Sequence, residues 1–171
     1  VGPSPGWLQD DLTKTGLRSI NNIVDVTNYV MLEYGQPMHA FDFDTLKDGA
    51  VVVRRARAGE SLATLDDETH ELRPPMLVIA DSKDPVGLAG VVGGVDSGVT
   101  DKTTTVLLES ANFNPENTHR TRMHLGDGTE ASYRFERGIR AELAPRALRR
   151  AIGLILKIAG GEAAKGILDL H

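Results

Sequence analysis

The sequence contains no cysteine, which excludes disulfide bonds, thiolate zinc sites and thiol nucleophiles. Aromatic residues are scarce at 5%, yet 40% of the residues are hydrophobic, enough for the core of one domain or of two small, closely packed lobes. No apolar run approaches the roughly 18 to 20 residues that span a bilayer, and the N-terminus lacks the basic-then-apolar order of a signal peptide. These absences predict a soluble protein.

Basic residues are outnumbered by acidic ones, with 19 Lys and Arg against 24 Asp and Glu, which gives a net charge of −5. We therefore expect any contact with nucleic acid to be small and to depend on a local basic patch. The chain begins with Val1 instead of methionine, and we expect it to be a piece of a longer protein.

Helical patterns are present near both ends of the chain. Ser4 followed by Pro5 is typical of a helix start, and Gly16 of a helix end, which predicts a first short helix. Two later helices are predicted, one starting at Asn114-Pro115 and ending at Gly126, and one over about 141–159.

A second helix is predicted between Ser19, a candidate N-cap, and Gly35. Its predicted apolar face consists of Ile20, Ile23, Val24, Thr27, Met31 and Tyr34. Because the helix stops at Gly35, we expect His39 to lie in an ordered loop beside a folded wall, held there by Pro37 and Phe41.

Short apolar or alternating runs fill the middle of the chain and predict strands. These runs are AVVVRRAR, SLATL, HELR, MLVIAD, VGLAGVV and TTTVLLES. Their spacing leaves no room for crossover helices, so hairpins and a mainly antiparallel or mixed sheet are expected. The sequence predicts an α+β fold, and with no long linker we treat 1–171 as one structural unit.

A glycine-rich segment, GLAGVVGGVDSG, covers residues 87–98. It lacks the Gly-Lys-Ser/Thr of a phosphate-binding loop, contains no GxGxxG, and precedes a strand pattern instead of a helix. Gly93-Gly94 therefore indicates a close approach of the backbone to a neighbour or a ligand. A plain turn or bulge and a ligand-facing wall both remain open.

Glu109 emerges from an apolar run. Alternation places it on the same strand face as Leu107 and Ala111, where an unpaired charge costs several kcal/mol. Either a structural arginine or a donor on a ligand must satisfy this carboxylate.

His39 has two readings: its side chain is satisfied by backbone in a turn, or it faces a pocket or a water molecule. None of the histidines stands in HExxH or paired spacing, so no catalytic metal is expected. Arg134, Glu136 and Arg137 would either neutralise phosphate or pair among themselves. With no G-x-S-x-G elbow, hydrolysis would have to use water directly.

Four motifs together resemble the B3/B4 editing region of the bacterial-type phenylalanyl-tRNA synthetase β subunit. They are SINNIVDVTNYVMLEYGQPMHAFD, GVVGG, LLESANF and TEASYRFERG. The resemblance implies post-transfer hydrolysis of tyrosine wrongly esterified to the phenylalanine tRNA. A synthetic pocket for an apolar side chain rejects an added hydroxyl only about a hundredfold, so a second sieve is needed.

The resemblance also implies roles for individual residues. Glu109 matches the position that reads the tyrosine hydroxyl, and Gly93, Thr129 and Ala131 match pocket positions. The remaining matches are polar or basic: His39 and Asn28 at positions that hold the attacking water or the ester end, and Arg18 near the site. The implied mechanism is water attack on an activated ester, with orientation by His39 and Asn28.

The fold implied by the resemblance is a β-sandwich of unusual topology, shared with a domain of tRNA-lysidine synthetases and flanked by helices. The implied partners are the tRNA acceptor end, tyrosine or its ester, the α subunit and the remaining β-subunit domains, with no membrane. No cofactor is expected in this domain, since ATP and Mg²⁺ belong to the whole synthetase, and the location is expected to be cytoplasmic. The alternatives are a non-catalytic RNA-binding or scaffold module and a free-standing deacylase, against which the missing methionine argues.

Overall fold

The structure, a computed structural model, describes residues 1–126 and 128–170. In this part of the chain the α-helices are α1 (Gly6–Lys14), α2 (Asn22–Tyr34), α3 (Pro115–Leu125), α4 (Glu130–Phe135) and α5 (Leu143–Ala159). The strands are β1 (His39–Asp42), β2 (Val52–Arg55), β3 (Ser61–Ala63), β4 (Thr69–Glu71), β5 (Leu77–Ala80), β6 (Pro85–Leu88), β7 (Val92–Gly93) and β8 (Val106–Glu109).

All strand pairs in the described residues are antiparallel. One sheet has the order β2-β5-β6-β7, β3 pairs with β4, and β1 pairs with β8. Isolated bridges join Phe41 to Gly98 and Thr64 to Gly94, and so connect the sheets. The predicted α+β class with mainly antiparallel pairing is confirmed.

The predicted start of α1 at Ser4-Pro5 lies one residue too early, the predicted N-cap of α2, Ser19, is wrong, and both serines contact one carboxylate. Asp25 is completely buried and accepts hydrogen bonds from the hydroxyls of Ser4 and Ser19, at 2.6 and 2.5 Å. Because both serines are committed to Asp25, Pro5 stands at the N-cap position of α1 without a side-chain hydrogen bond. The N-cap of α2 is Asn21, whose side chain accepts from the backbone N–H of two residues in the first turn.

The apolar face of α2 is also partly mispredicted. Ile20 precedes the helix and is 60% exposed, and Tyr34 is 36% exposed. The buried apolar residues are Ile23, Val26, Val30 and Met31, because α2 packs between α1 and α5. The end of α2 is as predicted, with Gly35 at φ 74° as the left-handed C-cap.

The predicted helices after Asn114 and near the C-terminus are confirmed as α3 and α5 within two residues. The short α4 was not predicted. It begins with a capping box in which Thr129 and Ser132 each bond the other's backbone N–H. None of the helices in the described residues is long and apolar enough to cross a membrane.

The segment that contains His39 is a strand, not the expected loop. Residues His39 to Asp42 form β1 and pair with β8, so that His39 stands directly opposite Glu109. The wholly buried Gln36 donates from Nε2 to the carbonyl of Ala111 at 2.8 Å, which ties the start of β1 to the end of β8 across 75 positions of the chain. Local sequence cannot show such a distant partner.

Candidate functional site

A cavity of about 80 Å³ lies between the β1–β8 pair, the glycine-rich turn of β6 and β7, and α4. Since one water needs at least roughly 10 to 15 Å³, the cavity has room for several waters or for one small aromatic ring. Its apolar wall includes Phe41, Ile79, Phe113 and Phe135. These residues belong to one hydrophobic cluster, and the rings of Phe113 and Phe135 meet edge to face at 5.1 Å.

Glu109 is the acidic group of this cavity. It ends β8 and is half-buried, and its neighbours Leu107 and Ala111 pack in the same cluster, as the strand alternation predicted. No hydrogen bond or ion pair reaches its carboxylate from residues 1–126 and 128–170. Burial without a partner raises the pKa of the Glu109 carboxyl to about 7. The structural arginine that would satisfy it is therefore absent from the described residues.

His39 lines the same cavity from the facing strand. Its ring packs edge to face on Phe41 at 4.4 Å, and its Nε2 is buried without a hydrogen-bond partner in the described residues. Burial lowers the pKa of the His39 imidazole to about 4, so the ring is neutral at pH 7. The neutral imidazole therefore has one ring nitrogen whose hydrogen-bonding capacity is unsatisfied in the described residues.

Gly93 lines the cavity and leaves room for the His39 ring. A Cβ atom built on Gly93 would lie 2.4 Å from His39 Cε1 and 2.9 Å from His39 Nε2. These distances are shorter than any ordinary contact, so residue 93 must lack a side chain if His39 is to keep its place. Gly93 thus lies in a cavity wall at a close approach to His39, and its role as a wall that faces a ligand stays a prediction.

The N-terminus of α4 closes the cavity. Ala131 lines it, and Thr129 does not; the Thr129 hydroxyl instead donates to the carbonyl of Val91 at 2.7 Å and accepts from the N–H of Ser132. Thr129 thus fixes α4 against the glycine-rich turn. Its role as a residue that contacts substrate stays a prediction.

Besides Thr129, two more predicted site residues lie outside the cavity lining. Asn28 is half-buried on α2, and Arg18 is exposed in the segment between α1 and α2. The structure brings His39, Glu109, Gly93 and Ala131 together, whereas the roles of Asn28 and Arg18 stay predictions.

The charged residues of α4 and the segment that follows it pair among themselves and with neighbours. Arg134 bonds Glu130 at 2.6 Å, Glu136 accepts from Arg122 at 2.7 Å, and Arg137 lies 3.5 Å from Glu136. Of the two readings of these side chains, the structure favours internal ion pairing.

Comparison with known families decides the relationship of this chain, because residues 1–160 match the model described as B3/4 domain. The chain belongs to the B3/4 domain family. The resemblance that the motifs indicated is thereby confirmed.

The relatives of this B3/4 domain carry the name phenylalanine–tRNA ligase beta subunit. The protein of Moorella thermoacetica is 52% identical over 171 residues, 100% of this chain and 21% of that protein. Those of Dehalococcoides mccartyi and Geobacter sulfurreducens are 52% and 51% identical over 170 and 171 residues, 99% and 100% of this chain and 21% of each protein. The chain thus spans about a fifth of the length of these relatives.

Sequence reasoning missed the aromatic wall of the B3/4 cavity. Phe113 and Phe135 are buried in the cluster around it, and Met38 joins them from the segment before β1. The available signal was the position of the phenylalanines inside the LLESANF and TEASYRFERG motifs, next to the polar residues that were selected.

The altered pKa values of Glu109 and His39 predict that the free energy of unfolding depends on pH. A Glu109→Gln variant separates the contribution of Glu109 from that of His39. Between pH 4.5 and 7 the unfolded chain releases the Glu109 proton while the folded chain keeps it, so stability falls as pH rises. His39 acts oppositely between pH 4 and 6.5, because the unfolded chain binds its proton first, but this effect is common to both proteins.

Relative to the unmodified chain, Glu109→Gln should therefore gain about 3 kcal/mol in free energy of unfolding as pH rises through this window. Urea denaturation of both proteins at pH 4.5 and 7.5 measures the difference. Parallel stability profiles would show that Glu109 ionises freely in the folded state.

Proposed function

We propose that this chain hydrolyses tyrosine wrongly esterified to the phenylalanine tRNA, as the editing module of a phenylalanine–tRNA ligase β subunit. The observation that supports this most strongly is the unpartnered carboxylate of Glu109 in a cavity with aromatic walls and the size of a phenol ring. A tyrosine ring fills such a cavity, and its hydroxyl supplies the hydrogen bond that Glu109 lacks.

Selectivity follows from the cost of an unsatisfied polar group. A site built to hydrogen-bond a substrate hydroxyl disfavours the analogue without it by about 10⁴ to 10⁵, because the buried group is then stranded. A phenylalanine ring fits the same apolar wall but offers Glu109 nothing, so correctly charged tRNA is spared.

The chemical step requires only water, since an aminoacyl ester is already activated. His39 is neutral and its Nε2 has no hydrogen-bond partner in the described residues, so we assign a water molecule to this nitrogen. With a pKa of about 4, the imidazole is a weak general base at pH 7. We therefore assign His39 to orientation of the water, with Asn28 as its proposed companion and Arg18 as a basic residue near the site.

The wider setting is part of the proposal. The names of the relatives support a β subunit that assembles with an α subunit and binds tRNA. ATP and Mg²⁺ chemistry is assigned to the remainder of the ligase. In the described residues no group of three or more His, Cys, Asp or Glu is placed to hold a metal, and the proposed mechanism has no step through one.

The test is deacylation by the complete ligase of tRNA charged with tyrosine or with phenylalanine. We expect release of tyrosine to exceed release of phenylalanine by at least about a hundredfold. A crystal of the ligase soaked with tyrosine should show the ring hydroxyl against Glu109. Equal release of both amino acids, with no ordered tyrosine in the cavity, would instead identify a scaffold that handles tRNA without editing.

A further inference from the structure

A second concavity of about 500 Å³ lies beside α3, and we call it the arginine groove. Arg55 at the end of β2 and Arg73 before β5 stand on one side of it, and Arg120 on α3 stands on the other. Met76 and Leu77 form part of its apolar lining. Guanidinium groups around an apolar floor are a surface suited to an extended anion with hydrophobic faces.

Most of the positive charge of the groove is not neutralised by ion pairs within the described residues. The side chain of exposed Arg73 makes no hydrogen bond or ion pair anywhere in residues 1–126 and 128–170. Arg55 donates only to the carbonyl of Pro75, at 2.7 Å, and so keeps its full charge. The one acidic residue of the groove is Glu116, which pairs with Arg120 at 2.5 Å on the exposed rim. The groove is thus locally cationic in a chain of net charge −5.

One carbonyl fixes two polar side chains of the groove in place. The oxygen of Pro75 accepts from Arg55 Nη1 and from Asn117 Nδ2, both at 2.7 Å. Because they share one acceptor, the guanidinium of Arg55 and the amide of Asn117 lie next to each other before any ligand binds. Prior ordering of this kind reduces the entropy that binding costs.

The groove and the editing cavity are neighbours that share a wall. Leu77 lines the groove and Ile79 lines the cavity, and these residues lie two apart on the same face of β5, about 7 Å along the strand. The same holds just before α3, where Phe113 lines the cavity and the next residue, Asn114, lines the groove. The two linings thus lie about 7 Å apart along β5, close enough for one RNA chain to reach both.

We propose that the arginine groove binds the sugar-phosphate backbone of the RNA whose ester-bearing end enters the cavity. Arg55 and Arg73 contact phosphate oxygens, Asn117 contacts a ribose or phosphate oxygen, and Met76 and Leu77 lie against the sugar faces. The identity of this RNA as the phenylalanine tRNA rests on the proposed function. The phosphate contact itself depends on the geometry and charge of the groove.

Direct contact is tested in the complete ligase with a photo-crosslinking side chain. Arg73→p-benzoylphenylalanine should crosslink to phenylalanine tRNA, with a yield that falls as salt rises. The matched control is the same replacement of Arg149, which is exposed on α5 and makes no hydrogen bond or ion pair in the described residues. Crosslinks to another protein segment, or equal RNA yields at both positions, would overturn the proposal.

Kinetics provide the second readout. Arg73→Glu should raise KM for deacylation of tyrosyl-tRNA roughly tenfold with kcat nearly unchanged. Affinity for the tRNA should also depend less steeply on salt, with the magnitude of the slope of log affinity against log salt reduced by about 0.7 to 0.9 per lost phosphate contact. Arg149→Glu removes the same charge and should change neither. An unaltered KM in Arg73→Glu overturns the proposal that the arginine groove binds RNA. A ligase that hydrolyses no ester but still crosslinks to tRNA at position 73 overturns only the proposed function.

Discussion

Replacing Glu109 with alanine is expected to lower the ratio of tyrosyl to phenylalanyl ester hydrolysis by about a hundredfold. A hydrogen bond to a charged or buried acceptor is worth about 1.5 to 3 kcal/mol, and the penalty that Glu109 imposes on phenylalanine disappears with it. The change should come both from slower release of tyrosine and from faster release of phenylalanine. Single-turnover deacylation of both charged tRNAs by the complete ligase measures the ratio.

Two variants make this prediction specific. Glu109→Gln keeps the shape of the side chain and one acceptor oxygen, so it should retain more selectivity than Glu109→Ala. Glu71→Ala removes an exposed carboxylate on β4, outside the cavity, and should behave like the unmodified ligase. Unchanged selectivity in Glu109→Ala would refute the role of the carboxylate as a reader of the hydroxyl.

Gly93→Ala is expected to lower tyrosyl ester hydrolysis by roughly a hundredfold, although it adds a single methyl group. The new Cβ would lie 2.4 Å from His39 Cε1, so the imidazole must move by about 1 Å or change rotamer. A displacement of that size in a positioned group costs on the order of 10²-fold in rate. The expected loss is in kcat, because the aromatic wall that binds the ring is untouched.

Gly6→Ala is the matched control, since a Cβ at Gly6 meets no atom within 4 Å. It should leave deacylation unchanged. Crystallography of Gly93→Ala should show His39 displaced from its contact with Phe41, now 4.4 Å between ring centroids. Full activity in Gly93→Ala, with His39 shifted, would mean that His39 does not orient the water.

The sequence predicted best where one local rule decides the outcome. Gly35 ends α2 and Gly126 ends α3 because a left-handed cap is chosen by the residue itself, and the strand runs were recognised by composition. Asn21 was missed as the cap of α2 because Ser19 is an equally good candidate until Asp25 is seen to occupy its hydroxyl.

The candidate site was predicted in part for the same reason. Glu109 was selected from strand alternation and His39 from its motif, and both line the cavity. Their face-to-face register was not predicted, because β1 and β8 pair across a long stretch of chain that carries no local mark of the contact. Their altered pKa values also follow from burial, which depends on elements brought together by the fold, such as α4 and the turn between β6 and β7.

Because His39 pairs directly with Glu109, the proposed orientation of water and the proposed recognition of the hydroxyl depend on the register of the same pair of strands. In a β ladder, a slip of one residue turns every side chain of the slipped strand to the opposite face. A deletion in β1 would carry His39 out of the cavity, and a deletion in β8 would carry Glu109 out while also disturbing the strand that presents His39. A deletion of one residue in either strand is therefore expected to disturb both proposed groups at once, because each strand holds the other in register.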